Sequence, residues 1–287
     1  MNAISQNPST APANVVTERA RRWKGHRWAF LLFVLLAAAA SVDALLIEPY
    51  SIEVTHYELH GAVATPLKIA HLSDIHAYGF GRRERRMLKT LADEKPDIIL
   101  VTGDSPGVWL GRPNGDYTGA KQVYEQLHAP LGVWFVRGNW ENAQPVRNER
   151  VFYQSAGVRL LVNSNGEARP DVWIAGLDDP YTGAAKPDAA LAGIPSGAYT
   201  ILLFHSPGYF SHVAGRINLC LAGHTHGGQV RFPFTKPLWL PRGSGHFLEG
   251  WYEDRGTKMY VSRGIGTSIL PIRFFCRPEI DFITVEP

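Results

Sequence analysis

Two imidazoles stand at i and i+2 in Gly223-His224-Thr225-His226-Gly227-Gly228, directly after the apolar run at residues 217–221. On a straight strand they would face opposite ways, but in a glycine-held turn both rings can aim at one point, which is a geometry for metal ligation. A His-x-His of this kind is weak by itself. The chain, however, repeats the arrangement. Asp74 and His76 follow an apolar run that starts at Leu67, Asp104 follows Asp97-Ile-Ile-Leu-Val-Thr-Gly, Asn139 follows Leu131-Gly-Val-Trp-Phe-Val-Arg-Gly, and His205 follows Tyr199-Thr-Ile-Leu-Leu-Phe. Seven carboxylate, amide and imidazole side chains are too many for one tetrahedral zinc. They suit two divalent ions a few Å apart that clamp a phosphoryl group.

The elements that must position these residues follow from the spacing of apolar side chains. Alternation over 52–60 reads as an edge strand ending near Gly61. Residues 67–74 read as a strand followed by a turn, and 82–94 as a helix with Met87, Leu88 and Leu91 at helical spacing. The short, continuously apolar run at 97–104 is of the kind found in buried parallel strands. Further helices are expected over 117–127 and 146–156, and strands over 131–139, 158–162, 172–177, 199–205, 259–262 and 282–285. Strands with polar C-terminal ends, alternating with helices, argue an α/β fold whose ligands gather beyond the strand ends. No repeat or low-complexity segment interrupts residues 50–287, which are expected as one domain.

Residues 1–27 are expected as a disordered tail that ends in a basic cluster, with Arg19, Arg21, Arg22, Lys24 and Arg27 against Glu18. Residues 28–47 carry only Ser41 and Asp43 as polar side chains, enough for one bilayer-spanning helix. A retained signal anchor is the first reading. A cleaved signal peptide is second, given the small residues around Ala40-Ser41-Val42, and a buried core helix is third because the segment is not amphipathic. Arg21-Arg22 is a twin-arginine pair whose following residues fit an export signal poorly. Cations before the segment and Glu48 and Glu53 after it place the large domain outside the cytoplasm, on a single-pass protein of the inner membrane. The basic cluster alone exceeds the total formal charge of +3, so the rest of the chain has no cationic excess of the kind nucleic acid requires. Two cysteines, Cys220 and Cys276, without a nearby cysteine partner, read as buried thiols rather than metal ligands.

The series Asp74-x-His76, Gly103-Asp104, Gly138-Asn139, His205 and Gly223-His224-x-His226 resembles the calcineurin-like metallophosphoesterase superfamily, from about Leu67 to Val285. The stretch Tyr260-Val-Ser-Arg-Gly-Ile-Gly-Thr-Ser-Ile-Leu-Pro-Ile-Arg-Phe-Phe-Cys-Arg-Pro-Glu279 is similar to the membrane-anchored bacterial branch. The resemblance implies a four-layer α-β-β-α sandwich of two mixed sheets. It also implies that Asp74, His76 and His226 hold one metal, Asn139, His205 and His224 the other, and Asp104 both. Asp104, Asn139 and His205 then serve catalysis, and a metal-bridging hydroxide attacks phosphorus in line. Mn²⁺, Fe, Zn²⁺ and Mg²⁺ all tolerate such mixed oxygen and nitrogen shells.

One position departs from the family pattern. Where the family reads Gly-Asn-His, this chain reads Gly138-Asn139-Trp140 and then Glu141. The missing histidine ordinarily steadies the reacting phosphate or protonates the leaving oxygen, a service worth roughly 10² to 10⁴ in rate. A substrate with a good leaving group removes the need for it. A superfamily relative that cleaves the pyrophosphate of UDP-2,3-diacylglucosamine also lacks this histidine. The expected activity is therefore hydrolysis of a phosphoanhydride or phosphodiester in a small-molecule or lipid substrate at a membrane. The alternatives are a broad extracytoplasmic phosphodiesterase, or a metal-binding surface protein weakened by Trp140.

Other residues carry plainer readings. His71 is expected in the core or behind the ligands, Asp178 and Asp179 in a turn, and Arg82, Arg83, Arg85, Arg86 and Lys89 on a solvated helix face or, second, against an anionic surface. His246 sits in a glycine-rich loop that could enter the cleft, and Trp239, Leu240 and Phe247 could rim it for acyl chains.

Overall fold

The computed structural model describes the backbone of residues 14–109 and 112–287. The disorder expected over residues 1–13 falls outside them. The chain divides into two units, Met1–Asp43 and Ala44–Pro287. In the first, helix α1 (Asn14–Val42) begins well before the span expected at 28–47. The basic segment is helical there rather than disordered, because Arg, Lys and Ala are good helix formers and lie contiguous with the apolar run. His26–Tyr50 spans 25 residues, its most apolar 18-residue stretch has a mean hydropathy of 2.6, and it is long and apolar enough to cross a membrane.

In the second unit a first mixed sheet has the order β1-β14-β2-β3-β6-β7. Its strands are β1 (Glu53–His60), β2 (Leu67–Leu72), β3 (Ile98–Val101), β6 (Val133–Val136), β7 (Val158–Leu161) and β14 (Glu279–Glu286). Only the β14–β2 pairing is antiparallel. A second mixed sheet has the order β12-β13-β11-β10-β9-β8. It contains β8 (Ser164–Arg169), β9 (Val172–Gly176), β10 (Tyr199–Leu203), β11 (Leu219–Ala222), β12 (Gly250–Asp254) and β13 (Thr257–Val261), antiparallel only at its two edges. A small hairpin of β4 (Gly107–Trp109) and β5 (Arg112–Asp116) stands apart.

Three apolar layers make the sandwich. Side chains alternate across a strand, so Ile98 and Leu100 of β3 face the second sheet together with Ile69, Leu203 and Leu221. Ile99 and Val101 of the same strand face outward and meet Met87 and Leu91 of α2 (Arg82–Glu94), Val123 and Tyr124 of α3 (Thr118–Tyr124) and Tyr153 of α5 (Glu149–Ser155). The outer face of the second sheet is covered more thinly, by α6 (Pro187–Leu191) and the 3₁₀ segment Pro207–His212, through Ala190, Phe210 and Val213. The four-layer arrangement and two mixed sheets expected from the resemblance are thus present. Burial on both faces is why β3 is apolar throughout.

The expected strands and the helix at 82–94 are found with small shifts of boundary. Unanticipated are α4 (Asn139–Ala143), α6, the hairpin, β8 and β12. Polar β8 and β12 are sheet edges with mostly half-buried side chains, so neither shows an apolar run.

The sheets approach closely at Gly176, where an added Cβ would lie 2.5 Å from Leu161 Cβ and 2.6 Å from Val136 Cγ1. Gly176→Val should therefore destabilise the protein by about 1–3 kcal/mol through overpacking. The check is the denaturant midpoint, and an unchanged midpoint would contradict close packing of the two sheets there.

Candidate metal centre

The parallel strands β2, β3 and β6 in one sheet, and β10 and β11 in the other, release the chain at their C-terminal ends. Each then places one or two of the seven side chains within a few residues. Asp74, His76, Asp104, His205, His224 and His226 are all buried, and Asn139, the first residue of α4, is half-buried beside them. The structure brings all seven together. Asp74, His76 and His226 offer atoms within 4.8 Å of one another, and Asp104, His205 and His224 form a second such group.

Five of these residues occupy the left-handed region: Asp74 (φ 50°), His76 (41°), Asp104 (57°), His224 (72°) and His226 (51°). Each costs on the order of 1–3 kcal/mol for a residue with a side chain and persists only where the surroundings enforce it. Backbone hydrogen bonds do so, from Asp74 N to Gly103 O (3.0 Å), His76 N to Asp104 O (3.1 Å) and Gly223 N to His205 O (3.1 Å). The approach of these loops requires glycine. A Cβ on Gly138 would collide with the Asp104 carboxylate, and one on Gly223 with Ser73 Oγ and Asp74.

Hydrogen bonds also choose which atoms face inward. Asp74 Oδ2 accepts from Ser73 Oγ (2.6 Å) and His224 N (2.9 Å), leaving Oδ1 buried with no hydrogen-bond partner and 3.2 Å from His226 Nε2. Asp104 Oδ1 accepts from Trp140 N (2.9 Å), which turns Oδ2 toward His205 Nε2 (3.2 Å) and His76 Nε2 (3.7 Å), one from each group. A carbonyl can only accept, so Pro106 O fixes a proton on His76 Nδ1, Thr102 O on His205 Nδ1 and Arg242 O on His224 Nε2. The opposite nitrogen of His76 and His224 is then a lone-pair donor, the form a metal needs. Buried, unpaired Asp74 Oδ1 and His76 Nε2, set among ionised carboxylates, fit a cation.

The electrostatics agree. Burial lowers His76 and His224 and brings His226 down to about 3, so these rings are neutral at pH 7 and able to offer a lone pair. Against the cost of burial, His226 and His205 hold Asp74 below its usual value, and His205 does the same for Asp104. His205 is raised well above 6.5 despite burial, because Asp104 faces it. Its Nε2 also meets Asn139 Oδ1 at 3.2 Å, a second acceptor.

Three supporting residues escaped the sequence reading. Glu141 is buried and accepts N–H bonds from Asp104 (2.9 Å), Ser105 (2.8 Å) and Gly138 (2.8 Å), tying the β3 and β6 loops together. Burial and then Asp104 push its carboxyl up to about 7, the N–H donors opposing. Arg83 is not on a solvated face. It is buried on the inward side of α2 and donates to the carbonyls of Ile75 (3.2 Å) and His76 (3.1 Å). Arg273, fully buried, donates to the carbonyls of Arg263, Gly264 and Gly266, in a loop whose Ile265 and Gly266 N–H groups bond Ser73 O and Asp74 O.

A groove of about 300 Å³ opens on Asp104, Asn139, His224 and His226. Trp140, Leu238, Trp239, Ile269 and Leu270 are its apolar walls. Phe247 is not on this rim but in the outer core of the second sheet, because its ring packs edge-on against Phe210 and Tyr252. His246 lies tilted against the Phe247 ring and is exposed. Asp179 caps a turn by accepting from Thr182 N, and His71 bonds Thr102 Oγ1 in the core. Both cysteines are buried and free.

Two outcomes follow. Adding a divalent cation to metal-free protein at pH 7 should release about one proton, from His205, so that affinity rises with pH. Calorimetry in buffers of different ionisation heat reads the proton, and none released would contradict the protonated state. Glu141→Gln leaves at least one buried N–H without an acceptor and should cost about 1–3 kcal/mol. Its thermal midpoint should fall, whereas an unchanged midpoint would show that the loops do not depend on Glu141.

The sequence model of the family described as calcineurin-like phosphoesterase matches residues 67–228, from β2 through the His224–His226 turn. An uncharacterized metallophosphoesterase, YkuE, of Bacillus subtilis (strain 168) is 29% identical over 92% of this chain and 96% of its own. A Bos taurus protein called transmembrane protein with metallophosphoesterase domain is 31% identical over 89% of this chain, which spans 62% of the bovine one. Phosphodiesterase YaeI of Escherichia coli (strain K12) is 28% identical over 77% of this chain and 82% of its own. With a match over more than half its length and the family's metal-binding motifs gathered at one edge of two mixed sheets, the chain belongs to the calcineurin-like phosphoesterases, metal-dependent phosphoester hydrolases that bind two divalent ions.

Proposed function

We propose that this hydrolase is membrane-anchored and cleaves a phosphoanhydride or phosphodiester that carries an apolar group. Asp74, His76 and His226 would hold one divalent ion, Asn139, His205 and His224 the second, and Asp104 both. Bound cations at such a site supply Lewis acidity to phosphoryl oxygens and lower the pKa of water.

The groove carries the substrate reading. Its floor is the ligand cluster and its walls are Trp140, Leu238, Trp239, Ile269 and Leu270, so a phosphate on the floor has hydrocarbon-compatible surface beside it. Those walls orient the substrate and exclude water from the reacting centre. Trp140 occupies the position where the family has histidine, and an indole N–H does not act as an acid near neutral pH. Among the described residues of the groove, the other titratable groups are Asp104, His224 and His226, all assigned to the cations. The leaving oxygen therefore departs without a protein proton, which favours a phosphate or aryl oxide over an alkoxide.

UDP-2,3-diacylglucosamine combines an anhydride, a stable leaving phosphate and acyl chains, and heads the substrate panel. The N-terminal apolar helix and the name of the bovine relative support the anchor. The second reading, a broad phosphodiesterase on the extracytoplasmic face of the inner membrane, is favoured by the charge asymmetry around residues 28–47 and by the name of the E. coli relative.

Assayed with Mn²⁺, the purified protein should cleave pyrophosphate diesters and aryl phosphodiesters at least about 10²-fold faster than alkyl phosphodiesters. Trp140→His should narrow that gap by raising alkyl hydrolysis by about 10² or more. Equal wild-type rates on all three classes would overturn the leaving-group reading.

A further inference from the structure

Exposed apolar surface is gathered around the mouth of the groove. Phe234 is fully exposed, Leu238 72%, Trp239 64%, Phe275 54%, Leu270 46% and Ile269 41%. They come from two loops joined into one platform. Arg231 N donates to Phe274 O (2.8 Å), Phe274 N to Gln229 O (3.0 Å), and Gln229 Nε2 to the carbonyls of Ser268 and Leu270. A soluble surface rarely leaves such a patch uncovered.

The platform is also tied to the point where the apolar N-terminal stretch ends. Arg273 N donates to Ala44 O (3.0 Å), and the buried carboxylate of Glu48 accepts from Phe275 N (2.9 Å) and Cys276 N. Between those anchors Leu45, Leu46 and Ile47 are themselves exposed. Cations stand at the same place: Arg86 donates to Tyr50 O (3.2 Å), Arg82 lies 5.9 Å from the centre of the Tyr50 ring, and Arg85 donates to Phe80 O. Aromatic and aliphatic side chains beside guanidinium groups are what a headgroup boundary accepts.

We infer that this platform seats in the bilayer boundary where residues 44–47 leave the membrane, so that the groove opens onto lipid and admits a lipid phosphate whose chains stay in the membrane. The inference rests on the anchored reading above and adds a surface, its occupant and a route of entry. The occupant is the bilayer rather than a second copy of the chain, because the platform is hydrogen-bonded to Ala44 and Glu48, at the end of the apolar stretch.

The test uses the full-length chain in nanodiscs of phosphatidylcholine and phosphatidylglycerol, with an environment-sensitive fluorophore on Phe234→Cys or, as control, on Asp188→Cys, whose native side chain is 93% exposed. Cys220 and Cys276 are buried and leave the label site-specific. Emission at 234 should shift to the blue and be quenched by nitroxide-bearing lipid, while the label at 188 responds only to aqueous iodide. Equal iodide quenching at both sites would overturn the inference. So would shielding at 234 without lipid quenching, which would assign the platform to a second copy.

In parallel, Phe234→Ser combined with Phe275→Ser should slow hydrolysis of a vesicle-borne phosphodiester about tenfold and leave a water-soluble aryl phosphodiester unaffected. Equal loss on both substrates would contradict the route of entry. A wild type inactive on both would remove the substrate reading, while the label still supports or overturns the surface.

Discussion

The structure depends on holding two ionised carboxylates and four imidazoles together away from water. Asp74 and Asp104 are buried, and burial alone would drive their protons back on. What keeps them charged is His205, protonated 3.2 Å from Asp104 and 3.9 Å from Asp74, together with N–H donors from His224 and Trp140. The backbone is bent to the same end, since five of the clustered residues adopt left-handed conformations that are costly for a residue with a side chain. A site this costly in desolvation and strain is stable only if the layers behind it are rigid. The two sheets supply that rigidity, with β3 and β10 at their centres buried on both faces.

Behind the ligands, the same problem of unpaired polar groups is solved again at lower charge. Left-handed loops leave carbonyls and N–H groups that no helix or sheet satisfies. Glu141 collects three such N–H groups, Arg83 two carbonyls, and Arg273 the carbonyls of the loop that grips Asp74. Arg83 is also paired with Glu84 (2.9 Å), and each of these charged side chains, set among backbone dipoles, fixes position rather than supplying chemistry. Trp140, at the position where the family has histidine, is also one of the residues that line the apolar groove.

The seven candidate ligands were legible because they are written just after apolar runs, and the strands that deliver them are apolar for an independent reason, burial on both faces. The supporting residues were not. Arg83 lies among four other basic residues on α2, and which of them turns inward depends on where the His76 loop comes to rest. Glu141 was visible as an acid following the Gly-Asn pair, yet its role arises only when β3 and β6 are neighbours. Residues 14–27 read as a tail because they are polar and lack apolar periodicity, while helix propensity shared with the adjoining apolar run makes them helical. The edge strands β8 and β12 are too polar to show the alternation that betrays a half-buried strand.

The central claim is that Asp104 and the two groups of ligands on either side of it hold a pair of divalent ions. Elemental analysis of full-length protein purified without chelators tests it most directly, set beside Asp104→Asn. Two tightly held ions per chain, falling to one or none in the variant, is the predicted result. A single ion in the wild type, or a count that Asp104→Asn leaves unchanged, would contradict the account.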